Sequence, residues 1–163
     1  MIRRRRDPLA DPEPLIRRVY AYVAYRLGEG AEAEDVTSDV FERAVRYRAS
    51  YDPERGDPIA WVIGIARRSI EDGRARSAAV VGPVAPERPA AGNLEEEVIQ
   101  RISVADAVGR LDSRDRELIA LRYGADLSAA QIGVLLDLTT NAVDVALHRA
   151  RERLRSTIEA EEA

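Results

Sequence analysis

Apolar residues recur along this chain at intervals of three and four, the spacing that stacks side chains on one face of an α-helix. Over residues 15–27 the face is Leu15, Ile16, Val19, Val23 and Leu27. Pro14 suits a first turn and Gly28 an exit. A second helix is predicted from about residue 32 to 47, with Val36, Val40, Phe41, Ala44 and Val45 inward. Residues 50–57 contain Pro53 and Gly56 and read as a loop. Asp57 then caps a third helix, with Pro58 at its first position and Ile59, Trp61, Val62, Ile65 and Ala66 as its apolar face. Strand alternation is nearly absent, so the pattern predicts an all-α fold.

Residues 77–93 break the period. They hold three prolines, two glycines and no aromatic residue, which predicts an extended, flexible linker between two small helical domains. Beyond it, Leu94, Val98, Ile102, Ala105 and Val108 mark a helix over 94–111, and Leu118, Ile119 and Leu121 a short one over about 113–123. Ser128 and Gln131 form a capping box for a helix over 129–136. A turn at 137–139 leads into a long last helix that buries Val143, Leu147, Ala150 and Leu154. A short capped helix, a tight turn and a longer helix with a polar start have the spacing of a helix-turn-helix, whose second helix enters the DNA major groove. A plain helical hairpin fits that spacing equally well.

Composition narrows the functions. There is no cysteine and one histidine, His148, which excludes disulfides and thiolate metal sites and argues against a histidine metal site or catalytic triad. No glycine-rich phosphate loop and no nucleophile–base pair is visible, so neither an enzyme nor a cofactor is expected. Four arginines near the start precede no apolar stretch, and no apolar run has the length of a membrane span. The expectation is a cytoplasmic protein without membrane insertion. The net charge is −4 and every basic residue but the histidine is arginine. GC-rich codon usage accounts for the arginine bias, and any DNA contact must come from local patches.

The segment LDSRDRELIALRYGADLSAAQIGVLLDLTTNAVDVALHRARERLR, residues 111–155, resembles region 4 of sigma-70-family factors, the promoter-distal DNA-binding domain. EAEDVTSDVFERA (32–44) and YDPERGDPIAWVIGIAR (51–67) resemble region 2 of the same family. The absence of a long insertion between them matches the extracytoplasmic-function (ECF) type. The resemblance implies an N-terminal arm (1–13), region 2 (14–76), a flexible linker (77–93), region 4 (94–158) and an acidic tail (159–163). It also implies a transcription initiation factor that binds core RNA polymerase and directs it to promoter DNA. Region 2 would melt the −10 element, region 4 would read the −35 element, and an anti-sigma factor is a further implied partner. The alternative is a sigma-like regulator that binds polymerase or an anti-sigma factor without initiating transcription.

Residue roles follow from the resemblance. Glu32, Asp35, Asp39 and Glu42, spaced three, four and three apart, share one helical face. Alone, such like charges repel; in the family this helix docks on the polymerase clamp, where a basic partner relieves them. Capture of single-stranded −10 DNA calls for aromatic surfaces and cations, offered by Tyr47, Tyr51, Trp61, Arg67, Arg68, Arg74 and Arg76, and the loop adds Asp52 and Arg55 as candidate contacts. The loop 52–56 is the candidate base pocket, while Trp61 also fits the apolar face of its helix. Contact with the −35 element would fall to Thr139, Thr140, Asn141, Asp144, His148, Arg149 and Arg151. The chain departs from the family where a basic run usually follows the third helix (here Glu71, Asp72 and Gly73), at Asp144 and Ala146 in place of lysine and arginine, and at Asp137 in place of the turn glycine. From Asp106 to Arg155 eight arginines balance eight acids, so weak general affinity for DNA is expected of region 4. Asn141 could read adenine and Asp144 accept from cytosine.

Overall fold

The structure, a computed structural model, describes residues 6–80 and 104–163. Among these residues every regular element is helical. Helix α1 (Pro12–Leu27) opens on Pro12, so the last two residues of the expected N-terminal arm are already helix, and Pro12 rather than Pro14 takes the opening position. Gly28 and Gly30, at φ +87° and +132°, turn the chain into α2 (Ala31–Arg46). A 3₁₀ turn (Arg48–Ser50) and a loop lead to α3 (Pro58–Val80). The Asp57 carbonyl accepts the Trp61 N–H at 3.2 Å, which puts Asp57 at the cap position. Helix α3 runs through Gly73 and four residues into the segment expected to be linker. Alanine-rich sequence there favours continuation, and one glycine costs only about 1 kcal/mol. The rest of that segment, and the predicted helix up to residue 103, lie outside the described residues.

The C-terminal half begins with a short helix over residues 104–110, α4. Helix α5 (Ser113–Ile119), capped by Asp112 through the Asp115 N–H at 2.8 Å, passes into a single π turn (Ala120–Gly124). Then come α6 (Ala129–Leu136) and α7 (Thr140–Glu162). The acidic tail expected over 159–163 is the last turn of α7, and its Glu161 pairs with Arg110.

The buried faces follow the predicted period, with corrections. On α1 the stripe centres on Leu15, Val19, Tyr22, Val23 and Arg26, and Ile16 is 45% exposed. On α2 it is Ala33, Thr37, Val40 and Ala44, leaving Val45 exposed. The two helical regions also share core, each being too small to bury much alone. One buried cluster holds Val19, Tyr22, Val23, Val62 and Ile63 together with Leu118, Leu121, Leu127, Ile132 and Val143. Helix α1 lies on α5 and the π turn, and α3 lies on α6.

Candidate functional site

Helices α6 and α7 meet at 101°, within the range of DNA-binding helix-turn-helix units. The turn is built locally. Ser128 Oγ accepts the Gln131 N–H at 3.1 Å while Gln131 Oε1 accepts the Ser128 N–H at 2.9 Å, closing the capping box. Asp137, in place of the usual glycine, adopts the left-handed conformation at φ +55°, a region open to aspartate. Gly133 is buried beneath the turn, where a Cβ would stand 2.6 Å from the Leu138 carbonyl oxygen. Thr139 Oγ1 accepts the Ala142 N–H at 3.1 Å and starts α7.

Val143, Leu147 and Ala150 face the core. Helical phase therefore leaves Thr139, Thr140, Asn141, Asp144, His148, Arg149 and Arg151 exposed. Not every arginine nearby is free. Arg151 donates to the Tyr123 hydroxyl at 3.1 Å, and Arg153 pairs with the buried Asp115 at 2.7 Å.

The residues singled out in the N-terminal half are less uniform. Glu32 and Asp35 are exposed. Asp39 pairs with Arg43 at 3.1 Å and Glu42 with Arg46 at 3.7 Å, so the helix already relieves half of its own carboxylate repulsion. Tyr51 is buried; its hydroxyl donates to the Gly56 carbonyl at 3.0 Å, and its ring meets Trp61 edge to face at 5.5 Å. The pair closes the loop over 52–56, and Tyr51 offers no open face for a base in this conformation. Burial raises the Tyr51 phenol above its ordinary pKa, helped by Asp57 and Asp52. Asp52 and Arg55 are exposed and loosely paired at 3.7 Å, and Arg68 and Arg76 face outward. Arg74 donates to Ser113 Oγ at 3.0 Å.

Arg67 is bound across the molecule. Its Nε donates to Glu117 Oε1 at 2.5 Å and its Nη1 to the Leu135 carbonyl at 3.2 Å. The same Glu117 oxygen stands 3.4 Å from Arg26 Nη1 and accepts the Tyr22 hydroxyl at 3.4 Å. Arg26, 4% exposed, also donates to that hydroxyl at 3.0 Å. Burial works against the Arg67 charge, but the bond and charge of Glu117 prevail and hold its pKa above the ordinary value. Arg18 clasps the Ala125 and Asp126 carbonyls at 2.7 and 2.9 Å, and Arg116 reaches the Tyr25 carbonyl at 2.8 Å. Gly124 passes so close that a Cβ would lie 2.9 Å from the Tyr22 Cα and N atoms.

The two halves match the profiles of sigma-70 region 2, over residues 13–79, and sigma-70 region 4, over residues 101–154. The sigma factor SigL of Mycobacterium tuberculosis is 30% identical over 146 residues, covering 86% of this chain and 82% of that protein. The chain belongs to the sigma-70 family. BldN of Streptomyces coelicolor is 32% identical over 81% of this chain, and SigK of a Mycobacterium species 32% identical over 71%. All three relatives are ECF RNA polymerase sigma factors, which puts the chain in the ECF group. It spans 53% of BldN and 64% of SigK. Two solved structures share the fold. The sigma factor RpoE in complex with the anti-sigma factor NepR from Bartonella quintana superposes with a TM-score of 0.69 at 19% identity, covering 89% of this chain and 92% of that one. CnrH in complex with the cytosolic domain of CnrY gives 0.62 at 25% identity, covering 90% and 81%. No single helix among the described residues is long and apolar enough to cross a membrane.

Sequence reasoning missed the cluster of Tyr22, Arg26 and Glu117 between the sigma regions. One signal was present: Tyr22 and Arg26 extend the Leu15–Val19 stripe at helical spacing, and an arginine on an apolar face needs an anion. Tyr22 gives a pH test. Burial pushes its phenol well above the ordinary value of 10.0. The protonated ring therefore stabilises the fold below that pH, and the contribution is lost as pH climbs from there toward the folded value. Tyr22→Phe is expected to flatten the fall in urea stability between about pH 9 and about pH 11. An unchanged slope would mean that Tyr22 does not titrate this way.

Proposed function

We propose that this chain initiates transcription by binding core RNA polymerase and taking it to promoters, with region 2 engaging melted −10 DNA and region 4 reading the −35 element. The observation that carries this reading is the helix-turn-helix. Its helices meet at 101°, and the first turns of α7 present Asn141, Asp144 and His148 on one exposed face. Asp144 repels phosphates but can accept from cytosine N4, so the reading favours cytosine at the contacted position. For −10 DNA the exposed Arg68 and Arg76 and the loop over 52–56 remain the candidate contacts, Tyr51 becoming available only if the loop rearranges. The face bearing Glu32, Asp35, Asp39 and Glu42 is the proposed polymerase contact. Among the structural neighbours, RpoE of Bartonella quintana was solved in complex with the anti-sigma factor NepR, and CnrH in complex with the cytosolic domain of CnrY. A partner of the anti-sigma class is proposed here too.

Run-off transcription with core polymerase on promoter fragments is the test. The wild-type chain is expected to yield specific transcripts. Asp35→Lys with Asp39→Lys is expected to weaken core binding by about 1.5 kcal/mol or more for each close pair lost. Core affinity unchanged by the double reversal removes the docking role. Core binding without any transcript instead favours a regulator that does not initiate.

A further inference from the structure

Of the arginines assigned to −10 DNA, Arg67 is the one held by both an ion pair and a carbonyl of region 4, Glu117 on α5 and Leu135 on α6. A carboxylate presents a guanidinium with the same kind of anionic oxygens as a DNA phosphate. The surrounding geometry closes the same face of α3. Gly64, one turn before Arg67, lies under Leu135, where a Cβ would stand 3.8 Å from the leucine Cδ2. Gln131 Nε2 reaches Asp57 Oδ2 at 3.4 Å beside the candidate base pocket. A strand approaching Arg67 therefore meets α6 first.

We propose that Glu117 is an intramolecular competitor for nucleic acid: it holds Arg67 in the closed chain, and a strand that uses Arg67 has to displace it and part the two regions. This rests on the reading of Arg67 as a −10 contact. The balance is electrostatic. One carboxylate serves two poorly solvated guanidinium groups, since Arg26 sits 3.4 Å from the same oxygen. Taking the charge from Glu117 leaves Arg26 and Arg67 confronting each other without an anion, and separation of the regions rehydrates them. Region 4 thus masks Arg67 through Glu117, an ion pair added to the shared core, and polymerase or DNA binding can outbid it.

The test uses the full chain, which has no native cysteine. Dyes are placed at the exposed ends of α1 and α7 through Glu13→Cys and Glu159→Cys, and energy transfer reports closure. The same protein is titrated with a fluorescent single-stranded DNA of ~20 nucleotides, scored by anisotropy. Glu117→Gln is expected to lower energy transfer and to tighten DNA binding about tenfold. Adding Arg67→Gln should keep the chain open and remove the gained affinity. Gly124→Val, which wedges a side chain against the Tyr22 backbone and leaves every charge of the cluster in place, should open the chain as well. Circular dichroism checks that helix content survives in each variant. Unchanged energy transfer in Glu117→Gln overturns the latch, whatever the DNA does. An open Glu117→Gln chain with wild-type DNA affinity overturns the competition for Arg67. Failure of the promoter reading shows up separately, as an absence of run-off product from a chain that still opens.

Discussion

Truncating Leu121 to alanine is expected to destabilise both sigma regions together, by about 2–5 kcal/mol. Leu121 is fully buried in the π turn, within the cluster that also holds Val19, Tyr22 and Val23 of α1. The cost combines lost burial with the cavity left behind. The tryptophan makes the result unambiguous, because the chain has one, Trp61, and it lies on α3 in the other region. In urea, the Trp61 fluorescence transition should move to lower denaturant together with the helical signal, as a single cooperative step. A Trp61 transition that stays at the wild-type midpoint while the rest shifts would show that the regions unfold separately and that the shared core contributes little.

Gly133→Ala is the second large effect expected, at about 1–3 kcal/mol from overpacking. The new methyl would stand 2.6 Å from the Leu138 carbonyl oxygen, a backbone atom fixed by the turn. The same oxygen cannot retreat without moving Thr139, which caps α7. The crossing of α6 and α7 should change with it, so DNA affinity is expected to fall more than stability alone explains. Asp137→Gly provides the contrast. Glycine adopts φ +55° without strain, and this variant should keep both properties near wild type. A Gly133→Ala protein with unaltered melting and DNA binding would mean that the turn is looser than its geometry implies.

What the sequence discloses and what it hides divides along the range of the interactions. The α6 boundaries, its capping box and the turn at Asp137 were legible because each is fixed by residues within five positions of one another. The exposed face of α7 followed from the spacing of Val143, Leu147 and Ala150 alone. The exposure of Ile16 and Val45 was not legible, since an apolar residue at the edge of a stripe counts the same in a pattern whether or not a neighbour covers it. Nor was the state of Arg67. Its partner lies 50 residues away, on a helix whose placement depends on the packing of Gly124 against Tyr22. Tyr51 illustrates the same limit. Aromatic character suggested a stacking surface, while the ring in fact packs on Trp61 and its hydroxyl ties off Gly56.

The close passage of Gly124 over Tyr22 also bears on how such factors diverge after gene duplication. Two regions joined by a tether can in principle be exchanged between paralogues as independent parts. Here the seam demands a residue without a side chain on one half and a matching backbone path on the other. A recombinant that takes region 2 from one relative and region 4 from another inherits a working closed state only if both sides of that seam travel together, which, on the proposed promoter reading, favours point changes on the open face of α7 over the shuffling of whole regions.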